Sequence, residues 1–249
     1  MMNLLEVSEL SKKYPTFSLN NVSFHIPKGE IVGLIGVNGA GKTTILKALL
    51  NLIPVDHGKV TMFEQLFLEN ERACKQKIGV VLGGIDFYKE KKISDITAVT
   101  KRFYTDWDEA AYQKFLTLFS LEPTKKIKEL SAGMRVKYLI ALALSHQATL
   151  FIFDEPTSGL DPVSREELLA IFQQIVKDGG KSILFSTHIT SDLEKCADTI
   201  IYIKEGVLVK AAPKKEFIAS FQTLKRPEDV GALTLEAIMV RMEEKHYDF

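Results

Sequence analysis

Residues 30–53 read EIVGLIGVNGAGKTTILKALLNLI, and this stretch decides the fold class. An apolar run opens into a glycine-rich loop, and a helical pattern follows from Ile45 until Pro54 ends it. Residues 36–43, GVNGAGKT, match the pattern G-x-x-x-x-G-K-[ST]. A strand, a glycine-rich loop and a helix in this order predict a phosphate-binding loop.

The glycine-rich loop carries the chemistry of phosphate binding. Its glycines let backbone N–H groups turn inward around phosphates, and the start of the following helix adds positive potential. Lys42 is expected to reach the β- and γ-phosphates of ATP, and the Thr43 hydroxyl is placed to hold Mg²⁺. The loop residues expected at the nucleotide are Gly36, Val37, Asn38, Gly39, Ala40, Gly41, Lys42, Thr43 and Thr44.

Two adjacent carboxylates end another apolar stretch, LFIFDE at residues 150–155. Taken alone, such a pair is typical of a solvated strand end. A phosphate loop in the same chain favours another interpretation, because parallel strands present their ligand-binding groups at their carboxyl ends. Asp154 is expected to hold Mg²⁺ through water, and Glu155 is expected to be the base that orients the attacking water.

Short apolar runs elsewhere in the chain predict the rest of a sheet. The runs KIGVVL from Lys77, TLFIF from Thr149 and SILFS from Ser182 are typical of parallel strands covered on both faces. Two stretches predict antiparallel pieces: the alternation in LNNVSFHI from Leu19, and the hairpin pattern TIIYI and VLVKAA around residues 204–206. The predicted fold class is α/β, with a mainly parallel core sheet and an antiparallel β subdomain.

Helical spacing replaces the strand pattern between residues 86 and 130, which predicts an inserted helical subdomain. Trp107 and Asp108 precede a helical pattern over EAAYQKFLTLF, and aromatic residues are frequent in the insert. Two explanations of the aromatic residues stay open. They form a small core of their own, or they line a groove for a partner helix.

The end of the chain is turn-rich in KRPEDVGAL and then helical in LEAIMVRMEEK. We expect a single domain over residues 1–249. Its nucleotide-binding core is formed by residues 1–85 and 146–221. The helical subdomain covers residues 86–145, and a C-terminal tail covers residues 222–249.

Charge and composition exclude several functions. The 249 residues include 32 Lys and Arg and 32 Asp and Glu, so the net charge is zero and no global field attracts nucleic acid. Cys74 and Cys196 lack metal-ligand or CxxC spacing and are expected to be free thiols in a reducing cytosol. No apolar run approaches the ~18 to 20 residues that span a bilayer, so we expect any membrane role to depend on a partner.

Further motifs follow the phosphate loop in a definite order. They are LSAGM at residues 130–134, LFIFDE at 150–155, SGLD at 158–161, and His188 within FSTHIT. Their order and spacing resemble those of ATP-binding-cassette (ABC) ATPases over essentially the whole chain. The resemblance implies a P-loop NTPase fold, ATP and Mg²⁺ as ligands, and a second ATPase subunit.

The resemblance also implies roles for individual residues. In the family, the signature caps the γ-phosphate bound by the opposite subunit, the D-loop crosses the dimer interface, and a switch histidine contacts the γ-phosphate. Ser131 and Gly133 take the first role here. Asp161 takes the second and His188 the third, while Tyr14 lies where the family stacks an aromatic ring on adenine. The expected catalytic residues are Lys42, Glu155 and His188.

Several of these residues also have simpler explanations. Ser131 precedes the helical pattern AGMRVKYLIALAL and is an N-cap by its position, although helix N–H groups and the helix dipole also suit a phosphate. Asp161 before Pro162 has the same ambiguity at the start of its helix. A histidine after an apolar strand is often a packed residue, and Tyr14 in a Tyr-Pro pair also fits a packed turn.

The chain departs from the family pattern at two motifs. Its signature has Ala132 where the first glycine is usual and Met134 where glutamine is usual. The position after IGVVL, where the family has a glutamine that contacts Mg²⁺, is Gly83. The departures put that metal ligand, and the coupling it carries, in question.

The compact insert with FYTDWD, the LSxGM form of the signature, and the short terminal helix resemble ATPases of bacterial type-2 exporters. Exporters of antimicrobial peptides and phenol-soluble modulins belong to this group. The resemblance implies an integral-membrane permease as partner, together with a second copy of the chain or a related ATPase. The chain is then expected in the cytoplasm, peripheral on the inner face of the cell membrane.

Two other functions remain as alternatives. One is an ABC ATPase without a transporter that acts on ribosomes or DNA, although its single phosphate loop and balanced charge argue against this. The other is a nucleotide-gated binding module with little turnover, which Gly83 and Ala132 favour and Glu155 opposes. No nucleic-acid partner is expected.

Overall fold

The strand predicted before the phosphate loop belongs to one large sheet, and the predicted helix follows the loop. The computed structural model describes residues 2–82, 88–227 and 229–244. Its strands are β1 (Asn3–Lys13), β2 (Ser18–Pro27), β3 (Ile31–Ile35), β4 (His57–Met62), β5 (Gln65–Leu66), β6 (Ile78–Val81), β7 (Leu150–Asp154), β8 (Ser182–Thr187), β9 (Thr199–Lys204) and β10 (Val207–Pro213). Within those residues the strand order is β5-β4-β1-β2-β10-β9-β3-β8-β7-β6.

Helices cover the sheet and fill the insert between β6 and β7. The helices are α1 (Lys42–Leu49), α2 (Glu71–Gln76), α3 (Ile93–Thr100), α4 (Glu109–Leu118), α5 (Ala132–Ser145), α6 (Pro162–Val176), α7 (Thr190–Cys196), α8 (Lys214–Ser220) and α9 (Leu235–Glu243). Not one of the helices in the described part of the chain has the length and apolar character needed to cross a membrane.

The sheet has a parallel part and an antiparallel part, as the sequence predicts. Strand β3 pairs in parallel with β8 and β9, and β7 pairs in parallel with β6 and β8. Every residue of β3, β7 and β8 is buried, which explains their continuous apolar sequences. Strand β1 pairs antiparallel with β2 and β4, and the alternating burial of β2 from Val22 to Ile26 matches the period of two seen in LNNVSFHI.

A narrow seam joins the two parts of the sheet. Strands β2 and β10 pair at a single position, Val207 with Asn20. Beside it, the Gly206 N–H donates to the Ala40 carbonyl at 3.0 Å, and the Gly206 carbonyl accepts from the Asn20 N–H at 2.9 Å. A side chain at position 206 would place its Cβ 1.8 Å from the carbonyl oxygen of Ser18, and φ there is +77°. Glycine is therefore required where the seam meets the phosphate loop.

The aromatic residues of the helical insert fall into two groups. Tyr112 and Tyr138 are buried, and both hydroxyls hydrogen-bond to Thr97 Oγ1, at 2.7 and 2.9 Å. Phe103 and Tyr88, in contrast, are more than half exposed. The first group forms the small core that the sequence allows for, and the second leaves apolar surface for contact with another molecule.

The C-terminal segment packs back onto the core, as a turn-rich stretch followed by the predicted helix α9. Thr234 caps α9 by accepting a hydrogen bond from the Ala237 N–H at 3.1 Å. The Leu235 N–H donates to Glu194 of α7 at 2.7 Å. At the other end of α9, the buried Tyr202 hydroxyl of β9 donates to Glu243 at 2.6 Å. Helix α9 is thus tied to α7 and β9.

Candidate nucleotide-binding site

The phosphate loop borders a cavity of about 700 Å³ at the carboxyl ends of β3, β7 and β8. The cavity brings together Lys42, Thr43, Glu155 and His188, which lie far apart in the sequence. Carboxyl ends of parallel strands are where open α/β sheets bind their ligands. The fold therefore assembles the predicted residues at the expected edge of the sheet.

Lys42 provides a buried positive charge at the bottom of this cavity. Its side chain is about nine-tenths buried, and Nζ donates to the carbonyl oxygens of Gly36 at 2.7 Å and Val37 at 3.3 Å. Nζ also lies 3.4 Å from Oε1 of Glu155. An ammonium group removed from water needs negative partners. The neutral carbonyls supply only part of that compensation, so the site suits an anion.

Gly41 sets the shape of the loop at the start of α1. Its φ is +111°, and a Cβ at this position would lie 2.7 Å from Cζ of Phe17 and 2.8 Å from Cδ2 of Leu19. Only glycine satisfies both conditions. Helix α1, which the structure describes in full, has no acidic residue in its first turn. Its N-terminal N–H groups and dipole therefore keep their full attraction for a phosphate.

Asp154 and Thr43 form the oxygen pair expected for a metal ion. The Thr43 hydroxyl donates to Oδ2 of Asp154 at 2.9 Å, and the Ser186 hydroxyl donates to Oδ1 at 2.6 Å. The described residues contain no group of three or more His, Cys, Asp or Glu arranged to hold a metal. A carboxylate with one hydroxyl nevertheless fits Mg²⁺, which keeps several waters and takes further oxygens from substrate phosphates.

Glu155 follows Asp154 directly but projects in another direction. Its φ of +50° is a left-handed conformation that costs a non-glycine residue roughly 1–3 kcal/mol. The turn is held by the Glu155 N–H, which donates to Oγ of Ser186 at 3.0 Å. The side chain then reaches Lys42 with one oxygen and His188 Nδ1 with the other, at 3.4 and 2.6 Å. The two adjacent carboxylates therefore have different partners: Asp154 contacts Thr43, and Glu155 contacts Lys42 and His188.

Ser186 is a site residue that the sequence analysis missed. It contacts the Asp154 carboxylate with its hydroxyl, and both its hydroxyl and its carbonyl oxygen accept from the Glu155 N–H. Its position in FSTHIT, two residues before His188, is the only sequence signal for this role. The parallel register of β7 with β8 places Ser186 opposite Asp154.

The wall on the far side of the phosphate loop includes an aromatic ring. Of the two described aromatic residues that precede β2, Phe17 lines the cavity and Tyr14 does not. The Tyr14 N–H donates to the Phe17 carbonyl at 2.7 Å, and the two rings are 6.5 Å apart with a 29° angle between their planes. The stacking of Tyr14 on adenine stays a prediction. Of these two rings, the one that lines the cavity is that of Phe17.

The cavity that the described residues form is lined by Ser158 of the SGLD stretch but not by Ser131, Gly133 or Asp161. Ser131 Oγ accepts from the Met134 N–H at 3.2 Å, and Asp161 Oδ1 accepts from Val163 N–H at 3.0 Å and Ser164 N–H at 3.1 Å. Both residues are therefore N-caps, one of the two explanations the sequence left open. These hydrogen bonds, mainly with Ser164, lower the pKa of Asp161.

Gly133 brings these two segments together on one face. A Cβ at Gly133 would lie 3.4 Å from Cβ of Ser164, in the first turn of the helix that Asp161 caps. Ser131 and Asp161 are both exposed. Gly83, the position at which the family has its glutamine, lies outside the described residues.

Comparison with known proteins places the chain in a family. A family model described as "ABC transporter" matches residues 19–158. The lantibiotic transport ATP-binding protein SrtF of Streptococcus pyogenes is 36% identical over 209 residues, which cover 83% of this chain and 89% of the relative. The bacitracin transport ATP-binding protein BcrA of Enterococcus faecalis is 32% identical over 213 residues, covering 84% and 69%.

A solved structure agrees with these matches. The ATP-binding subunit of an ABC transporter superposes with a TM-score of 0.83 at 26% identity, and the match covers 97% of this chain and all of that one. The family model, the relatives and the fold agree with a glycine-rich loop and the adjacent Asp154 and Glu155 at one edge of the sheet. The chain is therefore an ATP-binding subunit of the ABC transporter family.

Proposed function

We propose that the chain hydrolyses ATP and thereby powers a separate membrane permease that exports peptides. One observation carries the catalytic part of the proposal. Glu155 lies in a cavity between Lys42 and His188, next to the Asp154 and Thr43 pair that suits Mg²⁺. A carboxylate beside a phosphate site is placed to orient the water that attacks the γ-phosphate.

Each residue of the cavity has a separate task in this reaction. Lys42 and the loop N–H groups bind the β- and γ-phosphates and compensate their negative charge. Thr43 and Asp154 would hold Mg²⁺, which when bound neutralises charge that develops on the phosphates. Glu155 accepts a hydrogen bond from the attacking water and takes its proton. His188 holds the Glu155 carboxylate in place through the 2.6 Å contact.

A second copy of the chain, or a related subunit, completes the site. The exposed residues Ser131 and Asp161 lie away from the cavity of their own chain, and the buried Gly133 packs against the segment that Asp161 caps. The N-terminus of α5, which Ser131 caps, offers N–H groups and a dipole suited to a phosphate. The geometry supports a dimer in which α5 of one subunit faces the γ-phosphate held by the other.

An apolar patch around α2 supports the permease as partner. It consists of Leu52, Leu68 and Phe103, each more than half exposed. Two hydrogen bonds connect the segments that carry the patch to α2. The Asn51 amide donates to Glu71 at 3.1 Å, and the Gln76 amide donates to the Phe103 carbonyl at 2.7 Å. Exposed apolar surface rimmed by polar groups is typical of a protein interface. The chain then resides at the inner face of the membrane through this contact.

Peptide export is supported by the relatives. Proteins named for lantibiotic and bacitracin transport match this chain over most of their length. The subfamily features in the sequence, FYTDWD and the LSxGM signature, agree with that assignment. The permease carries substrate recognition, so the ATPase chain itself is expected to bind no peptide.

Two experiments test the proposal. Copurification from the native cell membrane should recover a multi-span membrane protein with the tagged chain. Leu68→Asp with Phe103→Asp should lose that protein and keep the ATPase rate of the isolated chain. Val230→Asp, at an apolar residue that is 98% exposed in the tail, is the matched control and should change neither result.

Other outcomes would contradict the proposal in distinct ways. Recovery of ribosomes or DNA in place of a membrane protein would point to an ABC ATPase without a transporter. Tight ATP binding without steady-state phosphate release would point to a nucleotide-gated module. Either result would leave the fold and the family unchanged.

A further inference from the structure

A cluster of buried polar groups lies behind the catalytic edge. In the described part of the chain, the buried side-chain nitrogen and oxygen atoms without a hydrogen-bond partner are Thr157 Oγ1, Arg165 Nε, and both carboxylate oxygens of Asp192. The side chain of Asp192 is completely buried. Buried polar groups are normally hydrogen-bonded, so such a concentration in one place requires an explanation.

The three residues interact electrostatically without closing a hydrogen bond. Arg165 Nε lies 3.9 Å from Oδ1 of Asp192. Burial raises the pKa of Asp192, and the neighbouring Thr157 hydroxyl and the Arg165 guanidinium oppose that rise. An N–H···O hydrogen bond needs roughly 2.7–3.2 Å, so a shift of about 1 Å would close the contact between Arg165 and Asp192.

Each member of the cluster stands close to a residue of the proposed reaction. Thr157 is two residues beyond Glu155. Arg165 lies one helical turn beyond Asp161, to whose carbonyl its own N–H donates at 3.0 Å. Asp192 lies one turn beyond His188, in α7. The buried carboxylate, in the segment that follows His188, therefore lies beside the segments that carry Glu155 and Asp161.

We propose that Asp192 is a positioning residue, which holds the His188 segment in register with the Glu155 and Asp161 segments. The inference rests on the proposed ATP hydrolysis. When a second subunit presses on the exposed Asp161 segment, Arg165 moves with the same helix. Closure of its contact with Asp192 then fixes α7, and with it the imidazole that holds Glu155. Assembly of the dimer and completion of the catalytic group are thereby linked.

The competing explanation is that the cluster only stabilises the packing of α6 on α7. The chain offers a matched control, because an exposed ion pair between Glu166 and Lys195 joins the same two helices. Exposed ion pairs contribute little to stability. Glu166→Gln should therefore leave the turnover rate and the melting temperature close to those of the wild type.

The experiment compares Asp192→Asn with the double variant Asp192→Asn, Arg165→Gln. Asp192→Asn should lower kcat by about tenfold and change KM for ATP by less than about twofold, since the phosphate loop is untouched. It should also lower the melting temperature, because it leaves the Arg165 charge without its buried partner. The double variant should regain part of that melting temperature while kcat stays low, because the link between the helices is still missing.

The results separate the possible outcomes. A kcat for Asp192→Asn within about twofold of the wild type, normalised to folded protein, would overturn the inference. Recovery of kcat in parallel with the melting temperature in the double variant would also overturn it, because the role would then be purely structural. A wild-type chain that releases no phosphate would instead contradict the proposed function, and the two failures are distinguishable in the same assay.

Discussion

Nδ1 of His188 lies 2.6 Å from Oε2 of Glu155, while the other oxygen of the same carboxylate lies 3.4 Å from Nζ of Lys42. The carboxylate is thus held from two sides, by a ring and by an ammonium group. This arrangement keeps Glu155 at the cavity surface, although Asp154 before it turns into the sheet.

Glu155→Gln should retain ATP binding and lose at least about 100-fold in turnover, because an amide cannot take a proton from the attacking water. ATP-bound dimers should accumulate, which size-exclusion chromatography with and without ATP measures. Glu122→Gln, at an exposed carboxylate paired with Lys125, is the control and should behave as the wild type. Turnover within about threefold of the wild type would assign the base to another residue.

Lys42→Ala should abolish high-affinity ATP binding, because it removes the cation that compensates the β- and γ-phosphates. The fold should persist, since the buried apolar strands β3, β7 and β8 are untouched. Titration with a fluorescent ATP analogue measures the first effect and circular dichroism the second. Lys47→Ala, on the exposed face of the same helix, should change neither. Near-normal hydrolysis by the Lys42 variant would refute the assignment of the phosphate loop.

His146 should make the stability of the chain depend on pH. It is 4% exposed, stacks on Tyr104 at 3.7 Å, and burial lowers its pKa. Below about pH 6.5 the unfolded chain binds a proton that the folded chain resists, so the free energy of unfolding decreases as the pH falls. Above that pH both states are neutral at this residue and the effect vanishes.

His146→Phe keeps an aromatic ring against Tyr104 and removes the titrating group. Urea unfolding at about pH 7.5 and about pH 5.5 should therefore show a smaller pH-dependent loss than the wild type. His25→Gln, at an exposed histidine of β2, should retain the wild-type difference. An unchanged difference in the His146 variant would assign the pH dependence to other groups.

The C-terminal segment is held by a bidentate ion pair between Arg241 and Asp229, with both N···O distances at 2.6 Å. The Arg241 hydrogen bonds, and next the Arg226 N–H, lower the pKa of Asp229 to about 2. A lowered carboxyl pKa contributes stability that is present above the unfolded value near 4 and is lost as the pH falls towards 2. The contact is therefore at full strength at neutral pH.

Asp229→Asn should accordingly loosen α9 at neutral pH. Hydrogen exchange of the α9 amides should become faster than in the wild type, while exchange in the central strands stays slow. Asp178→Asn, at an exposed carboxylate after α6, provides the control. Equal exchange of α9 in the two variants would show that the ion pair does not secure the segment.

The parts of the site that the sequence predicted are local in the chain. Gly41, Lys42 and Thr43 are consecutive, and so are Asp154 and Glu155, so their spacing determines their geometry. The N-caps Ser131 and Asp161 depend on the next three residues alone. Parallel strands β3, β7 and β8 were also predictable, because burial on both faces leaves an unbroken apolar sequence.

The remaining features depend on which distant segments meet. Ser186 reaches Asp154 because β8 pairs with β7 in one register, and a serine in a strand does not reveal its neighbour. Asp192 belongs to the polar stretch TSDLEK, which is typical of an exposed helix, and it is buried by its surroundings in the fold. Phe17 lines the cavity through a turn whose path local propensity does not determine.

Gly206 has a consequence for how variation in this chain is interpreted. Its N–H holds the Ala40 carbonyl of the phosphate loop, its carbonyl holds the Asn20 N–H, and a Cβ there would collide with the Ser18 carbonyl. A genetic screen for inactive alleles should therefore recover substitutions at this glycine, in a turn far along the chain, beside those at Lys42 and Glu155. A ranking of positions by how close they lie in the sequence to the phosphate loop would overlook Gly206.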